Sequence, residues 1–346
     1  MVRGGYGLKA FHCRCGQRVF FDNSRCMRCN AVLGFDPRCI DLVVVDTAEV
    51  PWRSDNGTAY YPCRNRVDLD ICNWLVPAEE TNEYCESCRR TAVIPNLENP
   101  LNIDRLAALE RAKRHMLYSL LVFRLPLDGG GGFSHDLRFR FLEDQRGNPG
   151  VSESEVKTGH FEGMITINVR EADDVEREST RTLMGEPYRT LLGHFRHESG
   201  HYYFQRLLRR GPWLERFGEA FGDPDADYAA ALQRHYQGGA APDWQQHFVS
   251  TYAGAHPLED WAETWAHYLH LTDTLETAAT FGIGRPAARP GDPIDMIDRW
   301  IDLSTAMNAL NRSMGLPDPY PFVLSDDVRG KIAFVHHFIA DNAPSS

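Results

Sequence analysis

The stretch "HFRHESGHYYF", residues 194–204, sets three histidines and one glutamate within eight positions of an apolar run with helical spacing. In a helix, His197 and His201 lie one turn apart, so both imidazoles project from one face and can bind the same zinc ion. Glu198 is offset around the helix axis, where it can reach a water at that zinc without being a ligand itself. The stretch therefore predicts a metal-binding helix with its own proton acceptor; the plain alternative is a solvated helix face.

The surrounding sequence predicts the extent of this helix. It should begin after residues 186–187, with a proline in its first turn, and end at residues 209–210, before a Gly-Pro pair. His194 lies one position off the i−4 row of His197. We therefore interpret His194 as a histidine that packs beside the ligands and supports them, not as a ligand.

A third metal ligand is expected on a second helix, within "STYAGAHPLEDWAETWAHYLHLTD", residues 250–273. Pro257 can open that helix, and His256 before it can serve as its cap. Four polar residues then share one stripe with apolar residues on both sides: Glu259, Glu263, His267 and His270. Such a stripe indicates a buried lining, where a carboxylate needs a compensating charge such as zinc. Spacing alone does not choose between Glu259 and Glu263 as the ligand.

The nine cysteines give a second metal signal, because all of them lie between Cys13 and Cys88. Two thiolates in a tight turn present both sulfurs to one tetrahedral ion, and a later pair completes the shell. Eight cysteines sort into two sets, namely Cys13, Cys15, Cys26 and Cys29, then Cys63, Cys72, Cys85 and Cys88; the second set is looser, because its first two cysteines are nine positions apart. We predict a structural zinc ion in each set; the alternatives are disulfides or unconnected buried thiols. Cys39 is left over and is expected to be a small buried thiol.

The chain is predicted to divide into three parts. The cysteine sets define a first zinc ribbon at residues 1–38 and a second zinc-ribbon-like module at residues 39–98. The turn-rich segment "PNLENP", residues 95–100, leads into a third part at residues 99–346. This third part opens with a predicted helix over residues 103–123.

Two stretches of the third part have the alternation of half-buried strands, "LRFRFLE" at residues 137–143 and "GMITINV" at residues 163–169. The second stretch gains a function if it is the edge strand beside the metal, because an extended peptide can add to a free edge through main-chain hydrogen bonds. Its plain alternative is an ordinary sheet strand.

Composition narrows the class of protein. With 346 residues, 42% of them hydrophobic, the chain can bury a full core. A formal charge of −11 argues against a protein that mainly coats nucleic acid or an anionic membrane. Residues 1–38 hold seven Lys or Arg against two Asp, so the first ribbon is the one place where nucleic acid could bind, although packing or a protein partner is favoured there.

No apolar run is long enough to span a membrane and no signal peptide is evident, so a cytoplasmic location is expected.

These motifs together resemble the gluzincin metallopeptidases, whose third zinc ligand is a glutamate on the helix after the HExxH helix. More specifically, the chain resembles bacterial zinc-binding metallopeptidases with an N-terminal zinc ribbon. The resemblance is carried by the cysteines and by the blocks "GEPYRTLLGHFRHESGHYY" (185–203), "HPLEDWAETWAHYL" (256–269) and "LNRSMGLPDPYPF" (310–322). It implies an α+β fold: a zincin-like metallopeptidase domain, mostly helical with a small sheet, preceded by two small zinc-ribbon-like modules.

The resemblance also implies roles for residues. These are zinc ligands in His197, His201 and Glu259, a general base in Glu198, and a partner of a ligand in Glu263. In the lethal-factor type of toxin peptidase a tyrosine precedes the glutamate by seven positions, which is the position of Tyr252 here; packing alone is the alternative for Tyr252. One catalytic and two structural zinc ions are therefore expected.

The expected activity is zinc-dependent hydrolysis of peptide or isopeptide bonds in a peptide or protein substrate. Two other classes stay open. One is a non-catalytic, zinc-stabilised module that binds protein or nucleic acid. The other is a zinc amidohydrolase that acts on a small-molecule amide. A water-activating base such as Glu198 has no use in a purely structural zinc site, which weighs against the first of these.

Overall fold

The computed structural model describes residues 10–173, 190–289 and 291–343. Within them the chain has the α+β organisation expected from the sequence: two N-terminal cysteine clusters come first, and a mostly helical part with a small sheet follows. None of the described helices is long and apolar enough to cross a membrane.

The amino-terminal part consists of a two-stranded hairpin and a five-stranded antiparallel sheet. The hairpin pairs β1 (Phe11–His12) with β2 (Arg18–Val19). The sheet runs in chain order through β3 (Val32–Asp36), β4 (Asp41–Asp46), β5 (Trp52–Ser54), β6 (Ala59–Pro62) and β7 (Leu75–Pro77), with the short helix α1 (Arg64–Leu69) before its last strand. Because β3 pairs with β4, the predicted boundary after residue 38 falls between two neighbouring strands of one sheet.

A mixed sheet of four strands follows, in the order β10-β11-β9-β8. Its strands are β8 (Thr91–Val93), β9 (Arg138–Leu142), β10 (Gly159–Phe161) and β11 (Met164–Asn168). β9 alternates as predicted, with Phe139 and Phe141 buried. β11 does not alternate, because the loop after β9 covers its second face, where Asn168 donates a hydrogen bond to Asp144 at 2.7 Å.

Within the described residues the edges of this sheet are β10 and β8, so residues 163–169 form an ordinary sheet strand, which was the alternative to an edge strand. β11 pairs in parallel with β9 on one side and antiparallel with β10 on the other. The chain turns back between β10 and β11 at Glu162 and Gly163, whose φ angles of 46° and 81° lie in the left-handed region. This two-residue turn adds one further strand outside β11 and makes β11 a central strand.

Helices dominate the rest of the chain. They are α2 (Leu101–Val122), α3 (Leu191–Tyr203), α4 (Leu214–Phe221), α5 (Tyr228–Gly238), α6 (Trp244–His247), α7 (Pro257–Thr280), α8 (Pro293–Ser313) and α9 (Asp326–Asn342). Short 3₁₀ turns occur at Cys88–Arg90, Val169–Ala172 and Ala253–Ala255. The predicted first helix agrees with α2, and the helix predicted to open at Pro257 agrees with α7.

The motif helix is α3. Its predicted start at residues 186–187 lies outside the described residues. The structure gives it an N-cap at Thr190, whose hydroxyl accepts from the Gly193 N–H at 2.9 Å. After Tyr203 the helix continues as a π-helical turn through Phe204–Leu208, a local widening that is frequent beside functional sites.

α3 and α7 pack closely against each other, and this contact positions the candidate site. Gly200 permits the close approach, because a Cβ on it would lie 3.0 Å from the Ala262 Cα atom. Two buried indoles of α7 then bond to α3: Trp261 donates to the Gly200 carbonyl at 2.8 Å, and Trp265 donates to the Ser199 hydroxyl at 3.0 Å. These bonds hold the two helices in one register.

The first cysteine region packs against α2. Phe21 of this region lies edge-on to Tyr118, with ring centroids 5.2 Å apart, and also contacts Trp74. Asp22 accepts a hydrogen bond from His115 of α2 at 2.8 Å. One hydrophobic cluster consequently runs from the amino-terminal strands into the helical part.

Candidate metal centre

The structure brings His197, His201 and Glu259 together into one cluster, whose ligand atoms all lie within 4.8 Å of one another. The Nε2 atoms of the two imidazoles are 3.2 Å apart. The Glu259 carboxylate, in the first turn of α7, has an oxygen 3.0 Å from His197 Nε2 and an oxygen 3.5 Å from His201 Nε2. Two nitrogens and a carboxylate oxygen therefore converge on one point.

The chemistry of this cluster fits a zinc ion. Glu259 is 1% exposed, and its Oε2 has no hydrogen-bond partner within the described part of the chain. Burial by itself lowers the pKa of the His197 imidazole. The carboxylates of Glu259 and Glu263 outweigh this effect of burial and raise the pKa of His197 well above its usual range. The surroundings thus stabilise a positive charge at this point. Two imidazoles and one carboxylate are also the donor set that zinc takes in open, three-ligand sites.

Glu263 lies at the other nitrogen of His197. Its Oε1 is 2.7 Å from His197 Nδ1, and its Oε2 accepts a hydrogen bond from the Ser250 hydroxyl at 2.7 Å. Burial raises the pKa of Glu263, but the bond and charge of His197 outweigh burial and lower it. The geometry separates two glutamates that share one stripe of α7: Glu259 faces Nε2 of the histidine, and Glu263 faces Nδ1.

Glu198 lines a cavity of about 320 Å³ that opens beside the cluster. The Glu198 side chain is buried, and its Oε2 has no hydrogen-bond partner within the described residues. Burial raises the pKa of this carboxyl above its usual value, although the two nearby imidazoles oppose the shift. A carboxyl in this state accepts a proton more readily than an exposed one.

Tyr252 also lines the cavity, where its ring centroid lies 6.0 Å from that of His197. It stands directly before the 3₁₀ turn Ala253–Ala255, which the Ser250 hydroxyl caps by accepting from the Ala253 N–H at 3.1 Å. Burial, together with the charge of Glu259, raises the pKa of Tyr252. Its hydroxyl therefore keeps its proton at neutral pH and can donate a hydrogen bond.

Two residues of the cavity were not anticipated from the sequence. Tyr228, the first residue of α5, donates a hydrogen bond to Glu259 Oε1 at 2.6 Å. His160 of β10 accepts from the Gly163 N–H at 3.0 Å, and burial lowers its pKa to about 3. Asp227 before Tyr228 is a recognisable helix cap. No spacing rule, however, connects Tyr228 or His160 to the motif, because both reach it through tertiary packing.

Two histidines near the motif have other surroundings. His256 caps α7 as the sequence suggested, with Nδ1 accepting from the Leu258 N–H at 3.0 Å. His194 is half-buried, and its Nδ1 lies 3.5 Å from Glu171 Oε2. A supporting role of His194 for the metal ligands stays a prediction.

Both cysteine sets converge as well. In the first set Cys13 and Cys29 have their sulfurs 3.5 Å apart, and those of Cys15 and Cys26 are 3.7 Å apart. In the second set the Sγ of Cys72 lies 3.7 Å from the Sγ atoms of Cys85 and Cys88. Disulfide sulfurs would be about 2 Å apart, whereas thiolates at the corners of a tetrahedral zinc site lie roughly 3.8 Å apart. Each set has the geometry of a four-sulfur metal site.

Cys39 is exposed, so the expectation of a buried thiol is wrong. It lies in the turn between β3 and β4, with its Sγ 3.7 Å from the Asp36 carbonyl oxygen. A turn between two neighbouring strands projects into solvent, and this explains the exposure.

Comparison with known proteins matches two families on either side of residue 100, although β8 before that point pairs with β9 after it. Residues 10–99 match a family described as a zinc-ribbon domain, and residues 102–338 match the family described as "Putative zinc-binding metallo-peptidase". Proteins of Mycobacterium tuberculosis and Mycobacterium bovis, each named as an uncharacterized protein, are 45% identical to this chain over an alignment of 348 residues; the alignment covers 97% of this chain and 97% of theirs. No solved structure matches the chain.

Proposed function

The chain belongs to the zinc-binding metallopeptidase family and carries an N-terminal zinc-ribbon domain, and from this we propose that it hydrolyses peptide or isopeptide bonds. His197, His201 and Glu259 would hold the catalytic zinc, and each cysteine set a structural one. The observation that carries the proposal is Glu198, a buried carboxylate beside the histidine pair that lines the cavity and has an oxygen without a partner in the described chain.

A zinc ion held by His197, His201 and Glu259 would supply Lewis-acid chemistry, which would acidify the attacking water and polarise the scissile carbonyl. Glu198 accepts a proton from the attacking water as the water oxygen bonds to the scissile carbonyl carbon. The same carboxyl then gives that proton to the leaving nitrogen when the C–N bond breaks. Its raised pKa suits both steps, since it makes the carboxylate a better base than an exposed glutamate at neutral pH.

Glu263 and Ser250 support this chemistry through His197. Glu263 accepts the Nδ1 proton of His197, which leaves a lone pair on Nε2 for the metal. The Ser250 hydroxyl holds the other oxygen of Glu263 and so limits rotation of the carboxylate. Glu263 thus acts as a positioning residue for a ligand, and Glu259 is the ligand.

Tyr252 supplies a neutral donor for the negative oxygen that develops when water adds to the carbonyl. A phenol suits this role because it donates a hydrogen bond while it stays uncharged at pH 7. The raised pKa of Tyr252 and its place in the cavity wall support the role. Such a bond stabilises the transition state more than the bound substrate, since the charge is absent in the substrate.

An extended substrate would align along β10. Thr158, Gly159 and His160 line the cavity, and within the described residues β10 pairs with β11 on one side only. The main-chain groups of an edge strand can bond to an extended peptide, which fixes the scissile bond relative to the metal ligands. We therefore propose β10, and not residues 163–169, as the edge strand that binds an extended peptide.

The proposal is tested by profiling the peptides that appear when a digest of whole-cell proteins is treated with the wild-type protein or with Glu198→Gln. The substitution keeps the size of the side chain and removes the base, so the peptide products should disappear while zinc content stays the same. Equal product profiles from the two proteins would refute the assigned mechanism.

A further inference from the structure

The two oxygens of the Glu259 carboxylate have different surroundings. Oε1 accepts the hydrogen bond from the Tyr228 hydroxyl, and the 2.6 Å separation is typical of a hydroxyl bound to a charged carboxylate. Oε2 has no hydrogen-bond partner within the described residues and lies 3.0 Å from His197 Nε2. The phenol therefore occupies the oxygen that approaches the imidazoles at 3.5 Å, at His201 Nε2, while the other oxygen approaches them at 3.0 Å, at His197 Nε2.

Because of this difference, we propose that Tyr228 holds Glu259 as a one-oxygen metal ligand and thereby keeps a coordination position open. The inference rests on the proposed function, because it takes the metal to be bound by His197, His201 and Glu259. A carboxylate that binds through both oxygens takes two positions on a metal ion, whereas a catalytic zinc site must leave one for water. With one lone pair of Oε1 engaged by Tyr228, Oε2 is left as the stronger donor to a metal ion.

His256 fixes Tyr228 relative to Glu259. Its Nδ1 accepts from the Leu258 N–H, and since a backbone N–H can only donate, the ring proton is on Nε2. Nε2 donates that proton to the Ala226 carbonyl at 3.0 Å, two residues before Tyr228. The ring of His256 also packs against the ring of Tyr228, with centroids 5.1 Å apart. One imidazole therefore ties the start of α7 to the start of α5.

Two further features suit Tyr228 to this role. The residue is 42% exposed and lines the cavity, so it forms part of the wall that a substrate would pass. A phenol is uncharged at pH 7, so the Tyr228 hydroxyl remains a hydrogen-bond donor under these conditions. Tyr228 is a positioning residue in this account: it acts on the substrate only through Glu259.

The test compares Tyr228→Phe with Tyr236→Phe in the full chain. Tyr236 lies two turns further along α5 and is 67% exposed. Its substitution by Phe therefore removes the same kind of hydroxyl group from the same helix. Each protein is loaded with Co²⁺, whose visible absorption weakens when coordination rises from four to five. Because the cysteine sites also bind Co²⁺, the spectrum of a His197→Ala protein is subtracted from each.

We expect weaker absorption from the histidine site of Tyr228→Phe, as Glu259 binds through both oxygens, and an unchanged spectrum for Tyr236→Phe. Turnover of Tyr228→Phe should fall by roughly ten- to a hundredfold, the usual effect of losing a partner of a ligand. An unchanged Tyr228→Phe spectrum, with or without a loss of turnover, would overturn the inference and leave the proposed function standing. A wild-type protein whose difference spectrum shows no Co²⁺ at the histidine site would overturn both.

Discussion

Glu263 Oε1 lies 2.7 Å from His197 Nδ1, while the Glu259 carboxylate lies 3.0 Å from Nε2 of the same ring. Two glutamates one turn apart on α7 thus face the two nitrogens of one histidine. A proton shared with Glu263 at Nδ1 leaves Nε2 with the lone pair that a metal needs. This relationship supports the proposal of different roles for two residues that look equivalent in the sequence.

Substitution of the two glutamates should separate these roles. Glu259→Ala removes a ligand, so we expect the zinc of the histidine site to be lost. Glu263→Ala removes only the partner of a ligand, so zinc affinity at this site should fall by roughly ten- to a hundredfold. Competition titration with a chelator measures both effects. Glu263→Gln is the matched control, since its amide oxygen can still accept the Nδ1 proton. If Glu263→Ala loses the metal and Glu259→Ala keeps it, the assignment must be reversed.

Zinc content should be three ions per chain, two held by cysteines and one by the histidine site. The prediction rests on two four-sulfur clusters and one separate cluster of nitrogen and carboxylate ligands. Elemental analysis of the purified protein measures the total, and His197→Ala or His201→Ala should reduce it by one while both cysteine sites stay loaded. A folded, carefully prepared sample without zinc would rule the prediction out.

Tyr252→Phe isolates the hydroxyl group that we assign to the developing negative oxygen. We expect kcat to fall by roughly ten- to a thousandfold, because the lost bond acts in the transition state. Zinc content and thermal stability should stay nearly the same, since the ring can keep its contact with His197. A normal kcat would return Tyr252 to a packing role, and so would loss of zinc or of the fold.

Stability should decrease in mild acid, in part because of His267. This histidine is buried beside Tyr320, and burial lowers its pKa to about 4. The pKa of this histidine is lower in the folded chain than in the unfolded chain, where it is about 6.5. Between these two pKa values the unfolded chain binds a proton that the folded chain does not. The free energy of unfolding therefore falls as the pH falls. This one group should lower the free energy of unfolding at pH 5 by about 2 kcal/mol relative to pH 8.

The control for this pH effect is a comparison of variants. Urea unfolding at pH 8 and pH 5 is measured for the wild type, for His267→Asn and for His337→Asn, in which an exposed histidine is replaced. Metal loss in acid affects all three proteins, so the difference between them reports the histidine alone. His267→Asn should show the smaller pH dependence. The same pH dependence in all three would contradict the assignment.

Several features could be predicted from the sequence because they depend on short distances along the chain. The spacing of His197 and His201 places both on one face of any helix, whatever packs against it. Cysteines two residues apart in a turn similarly bring their sulfurs together. Pro257 and His256 mark the start of α7 through local backbone chemistry alone. These local rules predicted the metal clusters and the main helices that carry them.

Tertiary structure decided what local rules cannot reach. Glu259 and Glu263 occupy one stripe of α7, and only the close packing of that helix at Gly200 determines which carboxylate meets Nε2. The edge of the sheet became β10 because a tight turn folded it outside β11, and alternation in a sequence does not record strand order. Tyr228 lies 31 residues before Glu259 and reaches it through packing of α5 against the start of α7. Local geometry determines which residues are candidate metal ligands, and long-range packing determines which of them converge on one point.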